Sequence, residues 1–136
     1  MLQQNCLPSA RNTRRSSASC SNARQALVNS NFLCEADPSH QTFMTSKGVS
    51  YMEGRHLIPC TAKNVKTFWK RVGKSIDCVE NIVCLCPTCH RKIHFGSEAE
   101  KRSIIKLLYN KQYSKLKKAG LDISEKELIG LYLRQS

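Results

Sequence analysis

Two metal-binding patterns follow one another in the stretch Leu85-Cys86-Pro87-Thr88-Cys89-His90-Arg91-Lys92-Ile93-His94. Cys86 and Cys89 enclose a proline, and a tight turn there would present both thiolates to one ion. His90 and His94 are spaced so that both imidazoles lie on one face of a helix. The stretch therefore predicts a turn that leads into a helix, with metal ions fixing both.

A tetrahedral zinc ion needs two ligands besides Cys86 and Cys89. Cys34 and His40 lie on either side of a predicted turn and supply a suitable pair. A structural zinc ion on these four residues would join two distant segments, and such ions contribute ~10–16 kcal/mol to the folding of small zinc modules. Cys84 remains a competing ligand, because it lies just before Cys86 on a strand-like segment.

His90 and His94 offer nitrogen ligands for a second metal ion, distinct from the zinc. A site with two protein ligands keeps open coordination positions, which is typical of catalytic rather than structural metals. The alternative is a pair of surface histidines on a polar helix. The neighbouring metal-ligating residues favour the second metal site.

The composition bounds the size of the fold and the kind of partner. A chain of 136 residues suits one domain. Its 22 Lys and Arg residues outnumber its 10 Asp and Glu residues, so we expect an acidic partner, with nucleic acid as the first candidate. The longest apolar run, residues 82–86, is far shorter than the ~20 residues that cross a bilayer, so no membrane role is expected.

The start of the chain and its cysteines indicate the compartment. The first residues lack the apolar stretch of a secretion signal, so we expect a reducing, cytoplasmic location. Metal binding or free thiols are then favoured over disulfides. The cysteines outside the metal pattern are interpreted as small buried apolar residues: Cys6, Cys20, Cys60 and Cys78.

The sequence divides into three parts. Residues 1–21 are predicted to be a flexible basic arm or linker, because the polar stretch within them cannot bury enough apolar surface. Residues 22–96 are the predicted core, and residues 97–136 are a helical extension that packs on it. In the core we expect a short helix over 23–29, a hairpin turn at 47–50, a strand ended by Pro59, a basic loop or short helix over 61–79 around Phe68 and Trp69, an apolar strand over 80–85, and a helix from His90.

Capping signals delimit two helices in the extension. Ser97 precedes two glutamates as an N-cap, and Gly120 stops the helix. The sequence Ser124-Glu125-Lys126-Glu127 is a capping box that opens a second helix. The lysines between these signals are interpreted as a solvated face, with a DNA-facing stripe as the alternative: Lys111, Lys115, Lys117 and Lys118.

Three motifs follow one another along the chain, and the third contains both metal-binding patterns: Glu53-x-Arg55-His56-Leu57-Ile58-Pro59, Glu80-Asn81-Ile82-Val83, and Leu85-Cys86-Pro87-x-Cys89-His90-Arg91-x-Ile93-His94-x-Gly96. Together they resemble the signature of HNH endonucleases, in the zinc-stapled form found among restriction endonucleases. The resemblance covers residues 22–96. It implies an α+β fold, in which a small ββα-metal core with a structural zinc site is flanked by an N-terminal helix and C-terminal helices.

The resemblance also implies roles for individual residues. His56 matches the general base that takes a proton from the attacking water, and Asn81 matches the residue that orients this base. His90 and His94 match the ligands of one catalytic divalent ion, which is Mg²⁺ or another ion such as Mn²⁺ or Ni²⁺. Glu53 matches a polar residue at the rim of the active site.

Arg55 departs from the family pattern. The residue before the general base is normally a His or Asp that also binds the metal, and a guanidinium cannot bind a cation. Either the two histidines hold the ion with water and phosphate, or Arg55 takes over part of the ion's role at the phosphate, or the chain is catalytically impaired. Arg91 is the other expected phosphate contact. Strand alternation places Glu53 and Arg55 on the face opposite His56, so an irregular backbone is needed there for all three residues to share one site.

Two functions of different classes are consistent with these motifs. The first is a metal-dependent DNA endonuclease domain of restriction or defence type, acting on double-stranded DNA. The alternative is a catalytically impaired, zinc-stabilised DNA-binding module. A third interpretation, a zinc domain for protein interaction, leaves the agreement among the motifs as coincidence. Because one ββα unit normally cuts one strand, a homodimer or an upstream recognition domain is a further expected partner.

Overall fold

The computed structural model describes residues 13–133, with side chains from residue 21 onward. Its elements follow in the order α1 (Thr13–Asn29), β1 (Glu53–His56), α2 (Ala62–Val72), a 3-10 turn (Val79–Asn81), β2 (Ile82–Leu85), α3 (Pro87–Phe95), α4 (Glu98–Lys118) and α5 (Glu125–Leu133). Helices and one two-stranded sheet surround the main core, so the predicted α+β class is confirmed. None of the described helices is long and apolar enough to cross a bilayer.

The two strands form the centre of the fold. They pair antiparallel, with Glu53 opposite Leu85 and His56 opposite Ile82. All of β2 is buried, because elements cover both of its faces. α3 begins immediately after Cys86, which completes a ββα unit. The pairing is continuous along β1, so the irregular backbone predicted for this strand is wrong. Because the strand is regular, Glu53 and His56 point to opposite faces, where Glu53 contacts His90 and His56 contacts Asp77.

α1 is longer than the short helix expected over 23–29, because it begins at Thr13. No Pro or Gly lies between residues 13 and 22, so a helix that is anchored further along the chain can extend back through them. Ala23 provides a buried anchor, and a Cβ on Gly54 of β1 would lie only 3.0 Å from the Ala23 Cβ. Part of the predicted arm is therefore helical, and residues 1–12 lie outside the described residues.

The segment before β1 turns at the expected place. The Thr45 N–H donates to the Val49 carbonyl at 2.7 Å, and Gly48 adopts a φ of 80° inside the turn. The flanking residues form one isolated bridge instead of two full strands. The next strand ends at His56 and not at Pro59, because β1 pairs with β2 and not with the segment before the turn.

α2 occupies the middle of the segment that was predicted as a basic loop or short helix. Thr61 caps its first turn by accepting a hydrogen bond from the Asn64 N–H at 3.1 Å. Gly73 ends the helix with a φ of 68°, a conformation that favours glycine. Phe68 is buried in the main core and fixes the inner side of α2.

α4 and α5 carry the predicted caps. Ser97 accepts from the Glu100 N–H at 3.2 Å, and Ser124 accepts from the Glu127 N–H at 3.0 Å. Gly120 follows α4 with a φ of 79°. The two helices contribute apolar side chains to the same core as β2: Ile104, Ile105, Leu108, Leu116, Leu128 and Tyr132.

Candidate metal centre and active site

One group of potential metal ligands lies at the start of α3. Among the described residues, Cys34, His40, Cys86 and Cys89 form the group whose ligand atoms all lie within 4.8 Å of one another. The His40 Nδ1 is 3.6 Å from the Cys86 Sγ and 3.4 Å from the Cys89 Sγ. Tetrahedral zinc, with bonds of ~2.0–2.3 Å, separates its ligand atoms by roughly 3.5–3.8 Å. The spacing of these four residues, called the zinc cluster below, therefore fits a metal such as zinc.

The helix start itself positions two of the sulfurs. Cys86 is the N-cap of α3, and its Sγ accepts a hydrogen bond from the Cys89 N–H at 3.4 Å. Pro87 occupies the first helical position, where a missing N–H costs nothing. The helix consequently begins at Pro87, ahead of the His90 start that was predicted.

A clamp between two loops brings Cys34 to the same place. The Glu35 N–H donates to the Cys84 carbonyl at 2.8 Å, and the Cys84 N–H donates to the Glu35 carboxylate at 2.8 Å. Ser30 also donates to that carboxylate, at 3.0 Å. Cys84 contributes its backbone to this clamp and lies outside the group of mutually close ligand atoms, so the geometry favours Cys34 over Cys84 as a ligand.

The sulfurs need a cation to become thiolates together. Burial raises the pKa of the Cys89 thiol, and the neighbouring Cys34 and Cys86 raise it further. Burial also opposes ionisation of Cys34, but backbone N–H groups and His40 outweigh it and hold its pKa below the usual value. The His40 Nε2 lies 3.5 Å from Asp37, which orients the ring with Nδ1 towards the sulfurs.

His90 is joined to Glu53 across the ββα unit. The His90 Nδ1 lies 2.6 Å from a Glu53 carboxylate oxygen. The Tyr51 hydroxyl donates to the other oxygen of Glu53 at 2.8 Å, and the Tyr51 ring stacks on Phe43. The His94 ring lies one turn further along α3, 5.1 Å from the His90 ring between centroids. The contact with Glu53 uses the Nδ1 of His90, and the Nε2 has no hydrogen-bond partner among the described residues, so it suits another ligand.

Both helix histidines are held neutral near pH 7. Burial lowers the pKa of His90, although its hydrogen bond with Glu53 acts in the opposite direction. Partial desolvation is the main cause of the lowered pKa of His94, whose side chain stays partly exposed, and the positive charge of Arg55 lowers it further. Neutral imidazole is the form that binds a metal ion. Glu53, His90 and His94 nevertheless form no second group of mutually close ligand atoms within the described part of the chain.

The Arg55 side chain extends from β1 to Tyr132 of α5. Its guanidinium carbon is 5.6 Å from the centre of the Tyr132 ring, and its Nε is buried without a hydrogen-bond partner in the described structure. The Tyr132 hydroxyl donates to the carbonyl oxygens of His56, at 3.3 Å, and Leu57, at 2.5 Å. Tyr132 was not predicted to contact β1, and the one signal in the sequence is its helical spacing from the apolar Leu128.

His56 has a carboxylate partner. Its Nε2 lies 2.9 Å from the Asp77 Oδ1, and both side chains are largely buried, with 14% and 18% of their surface exposed. This contact fixes the orientation of the imidazole through its Nε2, so the Nδ1 is the ring nitrogen that can act on a substrate. Asp77 was not predicted from the sequence, where its one signal is that no other acidic residue lies between Glu53 and Glu80.

Asn81 ties the chain together next to His56. Its side-chain amide donates to the carbonyl oxygens of Ile58, at 3.1 Å, and Ile76, at 2.8 Å. Its Oδ1 accepts from the Ile58 N–H at 2.9 Å. Because the Asn81 side chain is fully buried, these bonds hold the loop on both sides of α2. Arg91, by contrast, is exposed on α3.

The site described above lies within a segment that matches a known family. Residues 30–97 match the profile described as HNH endonuclease, and this segment is half of the 136-residue chain. The chain belongs to the HNH endonuclease family. The resemblance drawn from the ordered motifs is thereby confirmed, and with it the ββα-metal core with a zinc site.

A restriction enzyme is among the similar proteins. The chain is 30% identical over 83 residues to the type IV methyl-directed restriction enzyme EcoKMcrA of Escherichia coli (strain K12). The matched part is 61% of this chain and 25% of that enzyme, so the chain corresponds to a quarter of the relative's length. No solved structure matches the chain.

One zinc ion per chain is the expected content of the purified protein, measured by elemental analysis. The double variant Cys86→Ala/Cys89→Ala should lose the ion and unfold at far lower temperature, because bound zinc contributes several kcal/mol or more, up to ~10–16 kcal/mol in small modules. Cys78→Ala is the matched control, since Cys78 lies outside the zinc cluster and burial raises the pKa of its thiol to about 11. Full zinc content in the double variant would contradict the ligand assignment.

Proposed function

We propose that this chain is a metal-dependent DNA endonuclease domain, of restriction or defence type, that hydrolyses phosphodiester bonds in double-stranded DNA. One observation carries the proposal. In the ββα unit of this chain, His56 and His90 each contact a carboxylate through one ring nitrogen. The second ring nitrogen of each histidine is then positioned to accept a proton or to bind a metal ion. The net charge of +12 supports a polyanionic substrate, and the restriction enzyme among the relatives supports DNA.

His90 and His94 would hold one divalent ion, either Mg²⁺ or another ion such as Mn²⁺ or Ni²⁺. Such an ion, when bound, stabilises the charge that develops on the phosphate and on the leaving oxygen. Glu53 accepts the Nδ1–H of His90 and so selects the tautomer whose Nε2 lone pair binds a cation. Tyr51 keeps the Glu53 carboxylate in place. Glu53 thus acts in the proposed site as a positioning residue.

His56 is the proposed general base. With its Nε2–H donated to Asp77, the Nδ1 lone pair of the neutral ring takes a proton from the water that attacks phosphorus. The Asp77 carboxylate then stabilises the imidazolium that forms, as a carboxylate does for histidine in hydrolase triads. Asn81 holds the peptide that follows the end of β1, and Tyr132 holds the His56 carbonyl, so the base keeps its position.

Two arginines supply proposed phosphate contacts. Arg55 carries a buried Nε without a hydrogen-bond partner in the described structure, which a DNA phosphate oxygen can satisfy. Arg91 projects into solvent from α3, one residue after His90. A guanidinium binds phosphate through two parallel hydrogen bonds, so both positions suit the DNA backbone.

Arg55 also favours the second candidate function, a catalytically impaired DNA-binding module. Its positive charge lowers the pKa values of His90 and His94, and the same charge repels a divalent cation at these histidines. A chain that binds DNA but holds no catalytic ion would keep the fold, the zinc cluster and the basic surface. Cleavage with an added ion separates the two functions.

Plasmid cleavage in the presence of Mg²⁺, Mn²⁺ or Ni²⁺ should be abolished by excess EDTA and by His56→Ala. A general base contributes ~10²–10⁴-fold to the rate, so His56→Ala should lose at least ~10²-fold while its affinity for DNA stays close to that of the wild type. Binding without cleavage in every ion tested would establish the impaired module instead. Wild-type rates in His56→Ala would reject His56 as the base.

Asp77→Asn should lower the maximal cleavage rate by at least ~10-fold without changing the affinity for DNA, because the amide no longer stabilises the imidazolium. Asp122→Asn is the matched control, since it removes the same charge from an exposed position. Single-turnover rates measured at saturating protein separate the two variants. An equal loss in Asp122→Asn would show that the effect is only one of net charge.

Arg55→His should tighten the binding of the catalytic ion in the absence of DNA and raise cleavage at low ion concentration. The substitution removes a positive charge beside the ion and adds a nitrogen ligand. Calorimetric titration of the zinc-loaded protein with Mn²⁺ measures the affinity. Arg91→His, which makes the same chemical change on the exposed side of α3, is the control. Equal or weaker affinity in Arg55→His would reject the displaced-ligand explanation.

A further inference from the structure

The outer face of α2 combines lysines with an exposed tryptophan. Lys63, Lys66 and Lys70 recur at helical spacing, and Trp69 lies on the same side of the helix. All four are exposed, and Trp69 exposes 62% of its surface. The opposite side of α2 carries Phe68, which is buried in the core. The four exposed residues are called the α2 face below.

The charge of the α2 face is not neutralised by any of the described residues. The segment 61–76 contains five basic residues and no acidic residue. Arg71, which lies outside the face, binds Glu127 of α5 at 2.6 Å. None of the lysines of the α2 face pairs with a carboxylate in the described structure. An exposed indole ring contributes little apolar burial to the stability of the fold. A partner that covers the ring would gain the free energy of burying this apolar surface.

The position of α2 relative to His56 is fixed at both ends. The Asn64 side chain donates to the Pro59 carbonyl at 2.9 Å, just after β1. Beyond the other end, Asp77 binds His56. Because Lys63 follows His56 closely in the sequence, the two Cα atoms are separated by at most ~25 Å, or roughly seven base pairs along a duplex.

We infer that the α2 face docks on the backbone of the same double-stranded DNA, outside the cleavage site, with its lysines on phosphates and Trp69 packed against deoxyribose. This inference rests on the proposed function, because it takes DNA as the substrate. Contacts of this kind fix the orientation of a nuclease on the duplex without reading its sequence. The α2 face therefore increases affinity for DNA of any sequence.

Trp69 is the single tryptophan of the chain, so its fluorescence reports directly on the α2 face. A 20-base-pair duplex titrated into the non-cleaving His56→Ala protein should change the Trp69 emission over the same concentrations at which the anisotropy of labelled DNA rises. Emission that stays constant while the anisotropy saturates would overturn the inference.

A second experiment removes the charge. The triple variant Lys63→Ala/Lys66→Ala/Lys70→Ala should bind the duplex ~100-fold more weakly at 0.15 M salt, because each phosphate contact contributes roughly fivefold there. The slope of log affinity against log salt should become shallower by about 3. The matched control removes three exposed lysines from α4: Lys106→Ala/Lys115→Ala/Lys118→Ala.

The outcomes separate this inference from the proposed function. A large loss in the α2 variant with a small loss in the α4 control supports the α2 face as the docking surface. Equal losses in both variants would show that net charge alone matters and would overturn the inference, while leaving DNA cleavage intact as a property of the wild type. A wild-type protein that binds no DNA at low salt would overturn the proposed function as well.

Discussion

The zinc cluster is the constraint on which the rest of the structure depends. Two paired strands of four residues are marginally stable by themselves, so the position of α3 needs another determinant. Cys86 and Cys89 supply it, because they fix the first turn of α3 against the loop that carries Cys34. His90 follows directly, within hydrogen-bonding distance of Glu53. A metal held by the cluster would therefore set the angle at which α3 presents its histidines to β1.

A second set of contacts holds the other half of the site from outside the ββα unit. Asn81 bonds the chain on both sides of α2, and Tyr132 from α5 binds the carbonyls at the end of β1. Arg71 of α2 in turn binds Glu127 of α5. The C-terminal helices are thus part of the support of His56. Losing their packing would loosen the end of β1 without touching any proposed catalytic group.

Local spacing in the sequence was enough to place together those proposed ligands that are close neighbours along the chain. Cys86 and Cys89 lie on one turn, and His90 and His94 on one helix face, so spacing alone placed each pair. Asp77 and Tyr132 escaped prediction because tertiary packing brings them to β1 from distant segments, and no periodicity marks such a contact. The regular pairing of β1 was also mispredicted, because one shared site was assumed for both faces of the strand.

The charges around β1 explain how an arginine is tolerated beside the proposed ion site. Glu53 and Arg55 share one face of the strand, so the carboxylate offsets part of the guanidinium charge near His90. The Tyr132 ring and partial burial hold the guanidinium in place. In the proposed mechanism, a DNA phosphate brings a further negative charge to Arg55 and thereby reduces its repulsion of a cation. Ion and DNA then each favour the binding of the other, since such coupling is reciprocal. Arg55 would thus make the occupancy of the catalytic site depend on bound substrate.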